Sequence, residues 1–309
     1  LAERGSAGGA QIWPQLGHAG ALAHAPISTP RGPSPLDVHG LRCDGLSRED
    51  IHALPDTYAR SAALARAARF GGVQIHAGHG FLLSQVLSPL FNRRTDAYGG
   101  PVVRRFRLIG AIIDAVRAAV GPSFPVGIKI NASDMVEGGL TNDEALEVVR
   151  LLDATSIDLI EVSGGTYFPG AASSSESASS SGPYFTDFAR RAKEITAIPI
   201  VLTGGVATRD QAAAAVRDGA ADAIGLARAM VLTPSLATTW LSEAGGDPTY
   251  PRFGSPPRGG VTAWYSMRLT ALGQDTEEQF AMSPADALHA YDARDAERCE
   301  RWRARFGER

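Results

Sequence analysis

Cysteine is nearly missing from this chain of 309 residues: there are two, Cys43 and Cys299, far apart and without metal-ligand spacing. That excludes a disulfide scaffold and gives no zinc motif, so a reducing, cytoplasmic setting is the default. Long apolar runs are missing as well. No stretch approaches the ~20 residues of a membrane helix, and even LIGAIIDAVRAAV carries Asp114 and Arg117 at helical spacing. Nor is there a basic excess. The 30 Lys and Arg stand against 33 Asp and Glu, for a net charge of -3, which argues against nucleic acid or an anionic membrane as the main partner. The opening, LAERGSAGGAQIW, lacks both an initiator methionine and the charged-then-apolar pattern of a secretion signal, so it reads as the middle of a protein. What is present, 44% hydrophobic and 20% charged residues, is ordinary globular material with enough length for a real core.

Short β-rich runs alternate with longer helical ones. Six candidate strands stand at residues 9–17, 72–78, 125–131, 157–165, 199–205 and 221–227. Most are apolar nearly throughout, as expected for strands buried on both faces of a parallel sheet. Between them lie helices with legible starts. Ser47 is followed three residues on by Asp50, and Thr141 by Glu144, in the manner of capping boxes. Thr208 caps TRDQAAAAVRDGA, and Gly219 stops it. Strand–helix alternation with right-handed crossovers gives an α/β fold, with ligands expected at the carboxyl ends of the strands. Two segments break the rhythm. AASSSESASSS (171–181) reads as a mobile Ser-rich loop over that edge, and residues 245–263 as irregular. After them, SPADALHAYDARDAERCERWRARF reads as a charged helix with a structural role. A closed (β/α)8 barrel needs eight strands where six are visible. Either the sheet is open or two units precede residue 1.

The polar residues at the strand ends suggest chemistry. Gly204 and Gly205 end the fifth strand, and GLARA (225–229) ends the sixth. Loops in those places commonly hold a phosphate by backbone N–H groups, and Arg228 would add a charged fork. Ordinary turn chemistry is the plainer reading. Lys129 interrupts the apolar VGIKIN and must meet an anion there, either a ligand or a neighbour such as Glu161. Gln15 ends its strand with an amide able to read the edge of a heterocycle. His76 and His79, two of seven histidines, can converge on one oxygen and polarise it. A zinc site is the competing idea, but no third ligand at suitable spacing is visible.

GGVQIHAGHGFLLSQVLSPLFNRRTDAYGG resembles the signature of the old yellow enzyme family, the FMN-dependent ene reductases. QLGHAG, VGIKIN, EGGLTNDEAL, IEVSGGTY, TGGV and IGLARAM follow in family order across essentially the whole chain, and the bacterial branch with 2,4-dienoyl-CoA reductase and NADH oxidase-type members is the most similar. The resemblance implies a (β/α)8 TIM barrel of which about six β/α units are recognisable. Residues 1–309 would form one flavin-oxidoreductase domain, with strands three to eight of the barrel in 9–230 and an irregular segment and C-terminal helices in 231–309. It implies FMN reduced by NADH or NADPH, and hydride transfer to an activated alkene (enone, enoate) or a quinone. A homo-oligomer is compatible with it. By position, Gln15 would meet the flavin's pyrimidine edge and Lys129 its N1 and O2. Gly204, Gly205, Ala227 and Arg228 would hold the phosphate, and Gly164 joins this cofactor-binding set. His76 and His79 would clamp the substrate oxygen. At the position of the family's proton-donor tyrosine stands Phe81, which has no proton to give. The first two β/α units are not seen, so the sequence is expected to be a truncated piece. The runner-up function is an impaired barrel serving as a phosphate-ligand binding or assembly module. A cofactor-free lyase using Lys129 as a Schiff-base amine is a third.

Overall fold

The computed structural model describes residues 1–38, 40–168, 182–242 and 245–307. Each of the six expected strands is there: β1 (Gln15–Leu16), β2 (Val73–Ala77), β3 (Val126–Asn131), β4 (Leu159–Ser163), β5 (Ile200–Thr203) and β6 (Ala223–Gly225). They form one sheet in sequence order, every neighbouring pair parallel. Helices α1 (Arg48–Ala67), α2 (Leu82–Leu87), α3 (Arg107–Val120), α4 (Asn142–Asp153), α5 (Thr186–Lys193) and α6 (Arg209–Arg217) fill the crossovers. The helix starts follow the sequence signals. Ser47, Thr141 and Thr208 each close a capping box, with Asp50, Glu144 and Gln211 respectively. Such caps contribute about 1 kcal/mol apiece.

The sheet is not equally apolar on its two faces, and here the sequence reading needs correcting. In register, Ile75, Ile128, Ile160 and Ile200 lie side by side across β2 to β5. With Val73, Ala77, Val126, Ile130, Val162 and Leu202 they are at most 1% exposed. They share one core with Ile51, Leu54, Ile109, Ile112, Val149 and Phe188 of the helices. The intervening positions give the opposite face: His76, Lys129, Glu161, Val201 and Ala223 in one row. The alternation is real but hard to see, because glycine, alanine and valine are interleaved with the polar residues. Strands β1 and β6 stand at the ends of the sheet order and do not pair with each other among the described residues. The architecture is therefore α/β with six parallel β/α units.

Three further strands escaped sequence reading. Arg31–Gly32, Leu36–Val38 and Leu41–Gly45 form a small sheet between β1 and α1. They are two to five residues long, too short to display a period. A second core of Ala21, Leu36, Cys43, Phe91 and Phe168 lies with this excursion, the two phenylalanine rings stacked at 3.9 Å. The segment 245–263 is irregular until Gly260, where helix α7 (Gly260–Leu272) begins. Helix α8 (Pro284–Phe306) starts at a Ser283 cap and packs on α7. The Ser-rich segment 171–181 lies outside the described residues.

Candidate active site

The polar face of the sheet carries one continuous network. Gln15 on β1 donates to Gln74 Oε1 on β2 at 2.6 Å, and Gln74 donates to Glu161 Oε2 on β4 at 2.7 Å. Lys129 on β3 pairs with Glu161 Oε1 at 2.9 Å, and Thr203 on β5 donates to the same oxygen at 2.7 Å. Five adjacent strands are thus tied through one carboxylate. Burial pushes the Glu161 carboxyl up, but the Lys129 charge and the donated hydrogen bonds outweigh it and leave the group below its ordinary value. The side chains of Lys129 and Glu161 are only 13% and 16% exposed, so removing one would strand the other's charge. The expectation that Lys129 meets an anion or Glu161 resolves, in the chain alone, to Glu161. An ammonium engaged with a carboxylate suits charge stabilisation, whereas a Schiff base needs a neutral amine.

Beyond this network, at the carboxyl end of β2, the chain turns sharply. His76 is on the polar face and buried. His79 adopts a left-handed backbone at φ 59° and Gly80 follows at φ 79°. A side chain at Gly80 would overlap the Thr166 hydroxyl, so both conformation and space demand glycine. The unusual backbone of His79 is held from three sides. Its N–H donates to Asn131 Oδ1 at 2.9 Å, its carbonyl accepts from Tyr167 N at 3.1 Å, and its Nε2 lies 2.9 Å from Ser163 Oγ. Asn131 is fully buried at the end of β3 and also donates to Asp134 and the Gly165 carbonyl. Gln85 of α2 binds Ala21 N, Ala19 O and Gly80 O, which fastens the loop after β1 to the loop after β2.

Four rings meet there. His76 and His79 are 5.3 Å apart between centroids, Phe81 is 5.0 Å from His76, and Tyr167 is 5.9 Å from both His79 and Phe81. Burial, helped by the Lys129 charge, lowers the His76 pKa to about 4 and the His79 pKa to about 3. Both are therefore neutral at ordinary pH, with one N–H each. Among the described residues, His76 Nδ1 is buried without a hydrogen-bond partner.

The remaining expected residues gather at the neighbouring ends of β5 and β6. Gly204 and Gly205 have φ of 118° and 77°, and Tyr184 N donates to the Gly204 carbonyl. Ala227 precedes and Arg228 begins a five-residue helix after β6, where the Arg228 guanidinium lies 5.8 Å from the Tyr265 ring centre. Burial raises the pKa of Tyr250 and of Tyr265, and the Arg228 charge opposes both shifts. Gly164 sits against the Phe185 ring, a packing role that the sequence did not suggest. The expected residues thus form two groups along one sheet edge: Gln15, Lys129, His76, His79 and Phe81 over β1 to β3, and Gly204, Gly205, Ala227 and Arg228 at β5 and β6. Sequence reading missed Gln74, Asn131, Ser163 and Tyr167. Gln74 was findable, since it shares the strand face of His76 two residues away.

In parallel α/β sheets ligands bind outside the carboxyl ends of the strands, the end where the histidines, the Gly–Gly turn and Arg228 stand. A sequence profile of the NADH:flavin oxidoreductase / NADH oxidase family matches residues 2–243, and the chain belongs to that family. It is 37% identical over 237 residues to an NADH-dependent flavin oxidoreductase of Neonectria sp. (strain DH2), covering 73% of this chain and 30% of that one. It is 30% identical over 239 residues to an NADH oxidase of Thermoanaerobacter brockii, covering 76% of this chain and 37% of that protein. The chain thus spans about a third of the length of these relatives. Among solved structures, 2-naphthoyl-CoA reductase in complex with 2-naphthoyl-CoA superposes with a TM-score of 0.72 at 26% identity, over 79% of this chain and 39% of that one. Morphinone reductase in complex with tetrahydroNAD superposes with a TM-score of 0.66 over 81% of this chain and 70% of its own, and at 23% identity shows the fold alone.

Proposed function

We propose that this chain is the catalytic barrel region of an FMN-dependent NAD(P)H oxidoreductase that reduces small electrophilic acceptors, activated alkenes or quinones. The observation that carries the reading is the one-sided sheet. Its second face presents an amide, an ammonium and two neutral imidazoles at neighbouring strand ends, and a Gly–Gly turn with an arginine lies further along the same edge.

That donor set suits FMN. Gln15 uses its Nε2 on Gln74, which leaves Oε1 to accept from a pyrimidine N–H. Lys129 has three donors and directs one to Glu161, so others remain for an anionic ring edge. Gly204 and Gly205, in backbone conformations favoured by glycine, would bring N–H groups to a phosphate beside Arg228. When bound, the flavin would supply two-electron chemistry, taking hydride from NADH or NADPH and giving it up to an acceptor.

The histidines would hold that acceptor. Neutral imidazoles donate without carrying charge, so they polarise a carbonyl oxygen without permanently attracting other anions. For His79 to donate from Nδ1, Nε2 must be the unprotonated nitrogen. The Ser163 hydroxyl at 2.9 Å selects that tautomer if it donates its own proton to Nε2. Phe81 packs its ring against His76, with centroids 5.0 Å apart, and would bound the acceptor on that side.

The test is flavin uptake. The purified chain should bind FMN, show visible flavin absorbance, and bleach on adding NADH or NADPH without oxygen. Lys129→Met should weaken FMN binding at least tenfold. A colourless chain that takes up no added FMN overturns this reading in favour of the phosphate-binding barrel.

A further inference from the structure

The ring cluster contains one proton donor that no role has absorbed. Tyr167 lies in the loop after β4, its ring 5.9 Å from both His79 and Phe81. Its backbone fixes it there, since Tyr167 N donates to the His79 carbonyl and the preceding Thr166 bridges to His79. Where the loop goes, the histidine goes with it.

We propose that Tyr167 is the general acid of alkene reduction, delivering the proton that Phe81 cannot. This rests on the oxidoreductase reading above. Reducing a polarised alkene adds hydride to one carbon and a proton to the carbon next to the activating group. The two electrons come from the reduced flavin. The proton needs a donor within reach of the α-carbon of a substrate whose oxygen the two histidines hold. Among the described residues, elimination of the hydroxyl and ammonium groups around the cluster leaves one candidate. Ser163 Oγ is engaged with His79 Nε2. Thr166 Oγ1 accepts from Phe168 N, and an aliphatic alcohol is a far weaker acid than a phenol. The Lys129 ammonium is paired with Glu161, and on the reading above its remaining donors face the flavin's anionic ring edge and not the acceptor. Phe81 and Tyr167 flank the histidines as a pair of six-membered rings, and only the second carries an O–H.

In the step itself the Oη–H bond breaks as the new C–H bond forms, leaving a phenolate. Water then returns the proton, which is practicable because 59% of the Tyr167 surface is open to solvent. Two groups act on the phenol's acidity. Packing against the cluster raises its pKa, and the Arg228 charge opposes that shift by favouring the phenolate. A donor that is fully protonated before the step and has a cation to stabilise it afterwards meets both requirements of a general acid.

The experiment uses Tyr167→Phe, which keeps the ring and its packing. FMN uptake should be unchanged, while the ratio of alkene to quinone turnover should fall about 100-fold, the scale of one lost general acid. Product formed in deuterated water should lose its facial preference for deuterium at the protonated carbon. Phe81→Tyr in the Tyr167→Phe background should restore much of the ratio. An independent readout needs no flavin. Ultraviolet phenol titration of the flavin-free chain, wild type minus Tyr167→Phe, isolates one titration curve. Saturating cyclohexenone held by the histidines should displace its midpoint. If wild-type protein binds FMN and reduces alkenes, yet Tyr167→Phe keeps the rate and the deuterium face, the donor assignment falls and the oxidoreductase reading stands. A wild-type chain that binds FMN but reduces no alkene overturns the donor assignment and the alkene half of the reading together. A titration curve indifferent to the enone also counts against Tyr167.

Discussion

The two faces of the sheet are made from the same strands, residue by residue in alternation, and they do opposite work. One face is a row of isoleucines sealed under α1, α3, α4 and α5, at most 1% exposed. The other carries Gln15, Gln74, Lys129, Glu161 and Thr203, joined by hydrogen bonds and an ion pair across five strands, with His76 in the same row as Lys129 and Glu161. Burial per side chain stabilises the first face by about 1.5–3 kcal/mol. On the second, each polar contact offsets a desolvation cost and the net is small. Stability should therefore live on one face and reactivity on the other. The division breaks if mutations on the two faces have interchangeable effects.

The largest stability effect is expected on the helix side. Ile160→Ala, in the isoleucine row on β4, should cost about 2–5 kcal/mol by removing buried methyl groups and leaving a cavity. Urea unfolding would measure it, and FMN binding by the folded fraction should be unaltered. A cost below about 1 kcal/mol would mean that the helix layer adjusts freely and is not the main support.

Next comes acid. The folded pKa of His76 is about 4 against an ordinary value of 6.5, so the unfolded chain takes up its proton first as pH falls. Stability from keeping this ring neutral is complete above pH 6.5 and is lost progressively on going down to about pH 4. Two to three pH units correspond to about 3 kcal/mol. His79, lowered by the same burial, adds in the same direction. Many carboxylates titrate in that range too, so the informative quantity is the difference between wild type and His76→Gln. That difference should shrink between pH 7 and pH 4.5. An unchanged difference would mean that the histidine takes up its proton in the folded state at no cost.

How far all this could be read from the residues divides along the same line. The six strands, the helix caps at Ser47, Thr141 and Thr208 and the polar strand ends are local signals, and all are found, although the first strand keeps only Gln15–Leu16 of residues 9–17. The alternation within the strands was obscured because Gly127 and Val201 stand on the polar face and interrupt the pattern. The small sheet at 31–45 was invisible, since two- and three-residue strands are made by their partners and not by their own sequence. Within the site, Lys129 and the histidine pair were conspicuous as polar residues at the ends of apolar runs. Asn131 and Tyr167 were not. Their importance arises from crossing between strands, where Asn131 reaches from β3 to the His79 N–H and Tyr167 from the loop after β4 to the His79 carbonyl. Nothing in either one's immediate sequence points to the other strand.

The smallest effect tests the boundary between the faces most finely. Ser163 ends β4 and turns its hydroxyl to His79 Nε2 at 2.9 Å. Ser163→Ala removes one partly buried hydrogen bond, and its stability cost should be about 1 kcal/mol. Its chemical effect should be larger. Burial and the Lys129 charge keep the His79 pKa low; if the hydroxyl also donates to Nε2, it favours the neutral ring further, and its loss should move the His79 pKa upward. It should also release the tautomer that leaves the proton on Nδ1. Imidazole NMR titration of the two proteins reads both changes, and acceptor affinity should weaken severalfold in parallel. A His79 titration that stays where it was, with affinity intact, would mean that Ser163 accepts from the ring instead. The clamp would then have to use the other tautomer.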